Sequence, residues 1–355
     1  MAAIDELFRE VKERGGSDLH LFVGLPPIIR LKGEMVRMDR PILTKESNRE
    51  LIYEILDEEQ IKKFKERLDF DFSHELKGVA RLRCNVLFTH RGIGGAFRII
   101  PTEILTIEEL DMPDALLKIA GFQRGLVVVT GPTGCGKSTT LAAIIDRINK
   151  TREGHILTIE DPIEFVHPNI KCLITQREVG AHTHSFANAL RVATREDPDI
   201  ILVGEMRDLE TISLALNCAS LGILVFGTLH TNSAAKTIDR IIDAFPSDQQ
   251  GQVRSMLGDS LMAVVAQQLV RTRDGKGQRA AVEILLGSPA LGNLIREAKI
   301  SQIPSLIQTR TAEGMQTMDQ ALTKLINEEK ITTEAAYEKA SDKNLFTKEA
   351  EGEEK

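Results

Sequence analysis

Gly131-Pro132-Thr133-Gly134-Cys135-Gly136-Lys137-Ser138 satisfies the phosphate-loop pattern G-x-x-x-x-G-K-[ST] at every fixed position. The apolar, β-branched run Gly125-Leu126-Val127-Val128-Val129-Thr130 precedes it, and Ser138-Thr139-Thr140-Leu141-Ala142-Ala143-Ile144-Ile145 follows as the first turns of a helix. Strand, glycine loop and helix start are the context this chemistry needs. Glycines let backbone N–H groups converge on phosphate oxygens, and the helix N-terminus adds partial positive charge. Lys137 is placed to reach the β- and γ-phosphates of a nucleoside triphosphate, and the Ser138 hydroxyl to hold Mg²⁺. Gly131 to Ser138, with Thr139 next along the helix, form the candidate nucleotide-binding set.

Working outward, strands and helices alternate. Strands are expected at 126–130, 155–160, 199–203 and 223–229, with helices from 137, near 185–196 and near 208–220. That order predicts an α/β unit with a mainly parallel sheet and helices on both faces. Ser247 to Ile326 reads as mostly helical. The first hundred residues form a separate α+β pattern. Ile4 to Arg14 is expected to be a helix with Ile4, Leu7, Phe8 and Val11 on one face. Leu19 to Val23, Ile28 to Leu31, Val79 to Phe88 and Gly94 to Ile100 read as strands, and 48–56 and 58–68 as helices. The organisation expected is therefore a first domain at 1–100, a proline-bearing linker at 101–113, a phosphate-loop domain at 114–345 and a charged tail at 346–355. No internal repeat is present.

Composition narrows the class. A chain of 355 residues with 42% hydrophobic and 27% charged residues suits a globular protein of two domains. The net charge of −7 and the 4% of aromatics, with no Trp, argue against a nucleic-acid-coating surface with stacking platforms. No apolar run is long enough to span a bilayer, and acids follow Met1 where a secretory signal carries basic residues. A cytoplasmic protein is expected, reaching a membrane only peripherally through partners. Cys84, Cys135, Cys172 and Cys218 are widely spaced without a C-x-x-C pair, which gives no zinc or disulfide framework.

Hydrolysis requires a carboxylate near the metal and a way to activate water. Asp199-Ile200-Ile201-Leu202-Val203-Gly204-Glu205 is an apolar strand ending in an acid, although Gly204 stands where an Asp is usual. In a doubly wound sheet the carboxyl end of that strand lies beside the phosphate loop, so Glu205 is the candidate for orienting or deprotonating water near Mg²⁺. Ile156-Leu157-Thr158-Ile159-Glu160-Asp161-Pro162-Ile163-Glu164 groups further acids at a strand end, and Glu160 and Glu164 join the candidate set. His230 follows the apolar run ending at Leu229 and is placed to contact a γ-phosphate. His182 and His184 offer two metal ligands without a third and read as surface loop.

The four segments at 131–138, 156–164, 199–208 and 227–233, in this order, resemble the Walker A, Asp-box, Walker B and His-box motifs of the secretion-ATPase superfamily of P-loop motors. Gly16-Ser17-Asp18-Leu19-His20-Leu21, Gly24-Leu25-Pro26-Pro27 and Ile174-Thr175-Gln176-Arg177-Glu178-Val179-Gly180 extend the resemblance over nearly the whole chain. Within the superfamily the retraction ATPases of type IV pili are most similar. The longer N-terminal region and tetracysteine zinc insertion usual in the extension and type II secretion ATPases do not occur in this sequence. The resemblance implies a PAS-like N-terminal domain, a RecA-like ATPase core and a homohexameric ring. It implies ATP and Mg²⁺ as ligands, an inner-membrane pilus platform protein as partner, and pilus retraction with twitching motility as the outcome. It also implies arginines completing the nucleotide site. Arg81, Arg83 and Arg98 are the candidates, with Arg81 and Arg83 on one strand face by the period of two; Arg191 and Arg195 rank second. An accessory retraction ATPase is the near alternative. A nucleotide-gated scaffold and a nucleic-acid translocase are the distant ones. Ala290-Leu291-Gly292-Asn293-Leu294-Ile295-Arg296-Glu297 resembles the AIRNLIRE segment that marks retraction ATPases. It departs at Leu291 and at Gly292, which removes a charge and is expected to weaken its helix by about 1 kcal/mol relative to Ala.

Overall fold

Ile4, Leu7, Phe8 and Val11 recur at helical spacing, and all four are buried along one face of α1 (Ala3–Glu13). The computed structural model describes residues 3–347 except 32, 77, 101 and 102. The chain divides into two units, Met1–Glu103 and Ile104–Lys355.

In the first unit, α1 is followed by β1 (Gly16–Phe22), β2 (Ile28–Leu31) and β3 (Glu34–Arg37). Then come α2 (Lys45–Tyr53), α3 (Glu58–Arg67), β4 (Asp69–Leu76), β5 (Ala80–Thr89) and β6 (Gly92–Ile100). The strands form one antiparallel sheet in the order β3-β2-β1-β6-β5-β4. Both α2 and α3 begin with capping boxes, Thr44 with Ser47 and Asp57 with Gln60, which satisfy backbone donors that a helix start leaves open. Along β5, Leu82, Cys84 and Val86 are buried in the core while Arg81, Arg83 and Asn85 point the other way. Arg83 and Arg98 are directly opposed across β5 and β6.

The second unit runs α4 (Ala115–Ala120), β7 (Gly125–Thr130), α5 (Lys137–Thr151), β8 (Gly154–Glu160), β9 (Cys172–Glu178), α6 (Phe186–Ala193) and β10 (Ile200–Val203). Next come α7 (Leu209–Ser220), β11 (Leu224–Leu229), α8 (Ala234–Asp243), α9 (Gln250–Ser260), β12 (Leu261–Arg271) and β13 (Gln278–Leu286). Helices α10 (Pro289–Arg296), α11 (Ile303–Thr309), α12 (Met318–Asn327) and α13 (Thr333–Lys339) complete it. The sheet order is β13-β12-β7-β11-β10-β8-β9, parallel except where β13 pairs with β12. Every residue of β7 and β11 is buried, as central strands covered on both faces require. Ile107 and Met112, in the proline-bearing stretch, are buried in this unit's core. At the far end Phe346 is buried in a smaller cluster with Met318, Leu322 and Ile331. The charged residues from 348 onward lie outside the described residues.

Strands β3, β4 and β9 and helices α4 and α8 are not among the expected elements, and two further features differ from expectation. The stretch 247–326 is not mostly helical, because β12 and β13 form a long hairpin within it. Helix α9 ends at Ser260 and β12 starts at Leu261 with no glycine or proline between them, so nothing in the sequence marks the change of period. The hairpin turn at Asp274-Gly275, where Gly275 has φ +68°, is the signal that does mark it.

The second difference concerns Gly292. It is buried on α10, and a Cβ there would lie 2.6 Å from the carbonyl oxygen of Gly258 on α9. The reciprocal Cβ on Gly258 would lie 2.9 Å from the carbonyl oxygen of Gly292. The two helices therefore touch backbone to backbone. Arg296 reaches from α10 to the Asp259 carboxylate at 2.7 Å, beside that contact. Helix propensity favours Ala at 292, but packing forbids it and decides the residue. Gly292→Ala should destabilise the protein by about 1–3 kcal/mol through overpacking, read as a lower urea midpoint with unchanged m-value. A neutral or stabilised variant would show that the crossing has room.

Candidate active site

The ends of the parallel strands assemble the site. Thr130 of β7 is level with Leu229 of β11, Val203 of β10 with Gly227 of β11, and Val203 with Ile159 of β8. Just beyond these positions Gly131, His230 and Glu205 leave the sheet and Glu160 closes β8, so all four stand at the carboxyl edge.

Between β7 and α5 the loop Gly131–Gly136 turns tightly. Gly131 has φ +147°, and a Cβ on it would lie 2.2 Å from the carbonyl oxygen of Gln267 and 2.6 Å from the Cys135 Sγ, so only glycine fits. The Lys137 ammonium donates to the carbonyl oxygens of Gly131 at 2.9 Å and Pro132 at 3.1 Å, folding over the loop. Helix α5 has no side-chain cap at Gly136. Ser185, Asp208, Ser233, Ser288, Thr317 and Thr332 cap the helices that follow them, while α4, α9 and α11 lack a side-chain cap as α5 does. The open donors at the start of α5 and the nearby ammonium fit an anionic phosphate chain. Ser138 and Thr139 occupy the first turn of the same helix.

The other elements are tied to this loop by hydrogen bonds. The Thr130 hydroxyl accepts from the Thr231 N–H at 2.9 Å, and the Thr231 and Thr237 hydroxyls are 2.6 Å apart, fixing the segment that carries His230. The Thr228 hydroxyl donates to the Gly204 carbonyl, joining β11 to the end of β10. His230 Nε2 is 3.0 Å from the Glu205 carboxylate, and Arg207 Nε is 2.6 Å from the same oxygen. Burial pushes the Glu205 carboxyl up, but the Arg207 guanidinium and His230 outweigh it and hold it below the ordinary carboxylate range. Glu205 is therefore kept ionised.

Glu160 takes the opposite course. Burial raises its carboxyl above the ordinary range, against hydrogen bonds from the Thr158 hydroxyl at 2.6 Å, the Gln176 amide at 3.1 Å and the Glu164 backbone N–H. Glu164 is brought to Glu160 by the turn 161–164. Gly204 continues β10 directly beside Glu160, and a Cβ on it would lie 3.2 Å from both the Glu160 Cα and the Ile159 carbonyl oxygen. An Asp at 204 would crowd β8 and set a second carboxylate against Glu160. The acid usual at that strand position is thus absent from β10 and present one strand over.

Arg81, Arg83 and Arg98 lie in the first unit. Arg98 is 68% exposed along its side chain yet pairs through Nε with Asp18 at 2.8 Å. Asp18 also accepts from the Ser17 hydroxyl at 2.7 Å. Arg191 of the second rank pairs with Glu210. The His182 Nδ1 accepts from the Glu178 N–H at 3.0 Å in a loop, and the described residues hold no group of three or more potential metal ligands. Sequence reasoning missed Arg207, Thr158, Gln176 and Gln267. Arg207 is legible as a cation two residues beyond the strand-end acid and Thr158 as a hydroxyl two residues before Glu160 on the same strand; Gln176 and Gln267 act across strands and leave no local signal.

Residues 3–353 match the Type II/IV secretion system protein family. The chain belongs to this family. It is 54% identical to the type IV pilus retraction ATPase PilT of Pseudomonas aeruginosa over 95% of this chain and 98% of that one. It is 42% identical to the type IV pilus ATPase PilU of the same organism over 96% of this chain and 89% of that one. A crystal structure of the pilus retraction motor PilT with bound ADP superposes with a TM-score of 0.91 at 46% identity, covering 97% of this chain and 98% of that one. Family membership accounts for the mixed architecture of the fold, an antiparallel first unit and a mainly parallel second one.

The segment between Glu160 and β9 also carries a buried histidine. His167 is 8% exposed, its Nδ1 has no hydrogen-bond partner, and burial lowers its pKa to about 4 against the attraction of Asp146. A folded pKa below the unfolded value means that the unfolded state binds the proton first. The full stability is present above about pH 6.5 and declines as pH falls toward 4, by up to about 3 kcal/mol. His167→Phe should flatten this slope in melting temperatures measured across pH 4–7. An unchanged slope would assign the acid sensitivity elsewhere.

Proposed function

We propose that this chain hydrolyses ATP in a motor that powers type IV pilus retraction and hence twitching motility. The observation that carries the reading is the Glu205 carboxylate, 3.0 Å from His230 at the end of β10 and two parallel strands from a complete phosphate loop. The backbone of Gly131–Gly136 and Lys137 would bind the phosphates, and the Ser138 hydroxyl and Glu205 would hold Mg²⁺. The metal would supply charge neutralisation at the β- and γ-phosphates.

Glu205 and Glu160 are displaced in opposite directions from the ordinary carboxylate range. Such divergence separates acid and base duties between two carboxylates. In this reading Glu205 accepts or orients the proton of the attacking water, Glu160 and Glu164 order the hydrogen bonds beside it, and His230 contacts the γ-phosphate. Arg81, Arg83 and Arg98, on the side of β5 and β6 away from their core, are assigned to transition-state charge. A homohexamer, a cytoplasmic location at the pilus base and docking on an inner-membrane platform protein belong to the same proposal. Supporting the retraction role over the accessory one is the higher identity to PilT than to PilU. The absence of a helix long and apolar enough to cross a membrane, among the described residues, fits a partner-borne membrane attachment.

Glu205→Gln should lower steady-state phosphate release by roughly 10²–10⁴-fold while retaining nucleotide binding. Turnover within a fewfold of wild type would remove Glu205 from catalysis. In the source organism, a deletion strain complemented with Lys137→Ala should be hyperpiliated and unable to twitch; loss of pili would point to extension instead.

A further inference from the structure

We propose that Gln267 is a positioning residue for the phosphate loop, acting on nucleotide binding through the loop backbone; the inference rests on the nucleotide-binding reading above. Gln267 lies on β12, next to β7, and is 2% exposed. Its Nε2 donates to the Cys135 carbonyl oxygen at 2.6 Å, and its Oε1 accepts from the Thr140 hydroxyl at 2.8 Å. One buried amide thus joins the loop to the first turn of α5, across 132 and 127 residues of sequence.

The two bonds fix which way the amide points. Rotated by half a turn, it would set its carbonyl oxygen against that of Cys135, leaving two buried acceptors face to face. Drawing the Cys135 carbonyl toward β12 has a consequence for the next atom along. In a trans peptide the C=O and the following N–H point in opposite directions. The Gly136 N–H is therefore turned away from β12, toward the side where phosphate oxygens would be received. The Thr140 contact holds the start of α5 to the same reference point, so the loop donors and the helix donors keep one relative orientation. The Gln267 main chain adds to this, because its carbonyl oxygen occupies the space that any side chain at 131 would need.

A loop held in its binding shape before the ligand arrives loses less conformational freedom on binding. Releasing it would leave a buried amide unpaired, which is unfavourable. Gln267 therefore affects how tightly nucleotide binds more than how fast bound nucleotide reacts.

The test is a titration of the full chain with a fluorescent ADP analogue, alongside ATPase kinetics, for wild type, Gln267→Leu and Thr140→Val. Loss of both bonds in Gln267→Leu should weaken ADP binding and raise KM for ATP roughly tenfold, with kcat within about threefold of wild type. Thr140→Val keeps the bond to Cys135 but frees the amide to rotate, and should weaken ADP binding by about threefold. A purely structural role would lower the melting temperature of the nucleotide-free protein without separating KM from kcat. Wild-type affinity and KM in a folded Gln267→Leu protein would overturn the proposal. If that variant does not fold, wild-type affinity in Thr140→Val overturns it. Failure of the wild type itself to bind ADP would remove the nucleotide reading on which the proposal stands.

Discussion

The parallel register of β7, β11, β10 and β8 is the constraint on which the rest depends. Side chains cannot converge on a ligand unless the strands that carry them stop at the same level. Here the level is set by main-chain pairing in the buried centre of the sheet. Short hydrogen bonds then lock neighbouring exits together: Thr130 with the Thr231 backbone, and Thr228 with Gly204. Strand ends lie within two residues of one level because the core is in register, and a shift of one strand by a residue would turn its side chains to the opposite face.

Where chemistry sits at strand ends, local sequence is informative. The phosphate loop, Glu205, Glu160 and His230 each follow an apolar run, and a reader who knows that ligands gather at carboxyl edges of parallel sheets can place them together. The first unit was equally legible in α1, β2 and β5, whose periodicity is undisturbed. Legibility failed where adjacency across strands decides the outcome. Gly204 is unexplained by its own segment and becomes intelligible only when Glu160 is seen beside it. Gln267 lies in an apolar strand that directly continues from a helix, so neither the strand nor the residue's partners could be read from spacing. Arg207 was visible as a charge but not as the partner of Glu205, because its side chain folds back.

Charge in the site is arranged by contrast rather than by sum. Two carboxylates on adjacent strands meet different surroundings, one beside a guanidinium and an imidazole and the other enclosed by a hydroxyl and an amide. The close approach of Gly204 to β8 leaves little room for a further acid beside Glu160.

The contact of Gly258 with Gly292 binds the histories of two positions together. Each glycine is tolerable in a helix only because the other lets the axes approach, and each forbids a larger residue at the other. A substitution at either one alone meets a backbone atom; both can change only if the helices separate. The route between this sequence and one bearing a long side chain at 292 therefore passes through a rearrangement of α9 against α10, not through a single replacement.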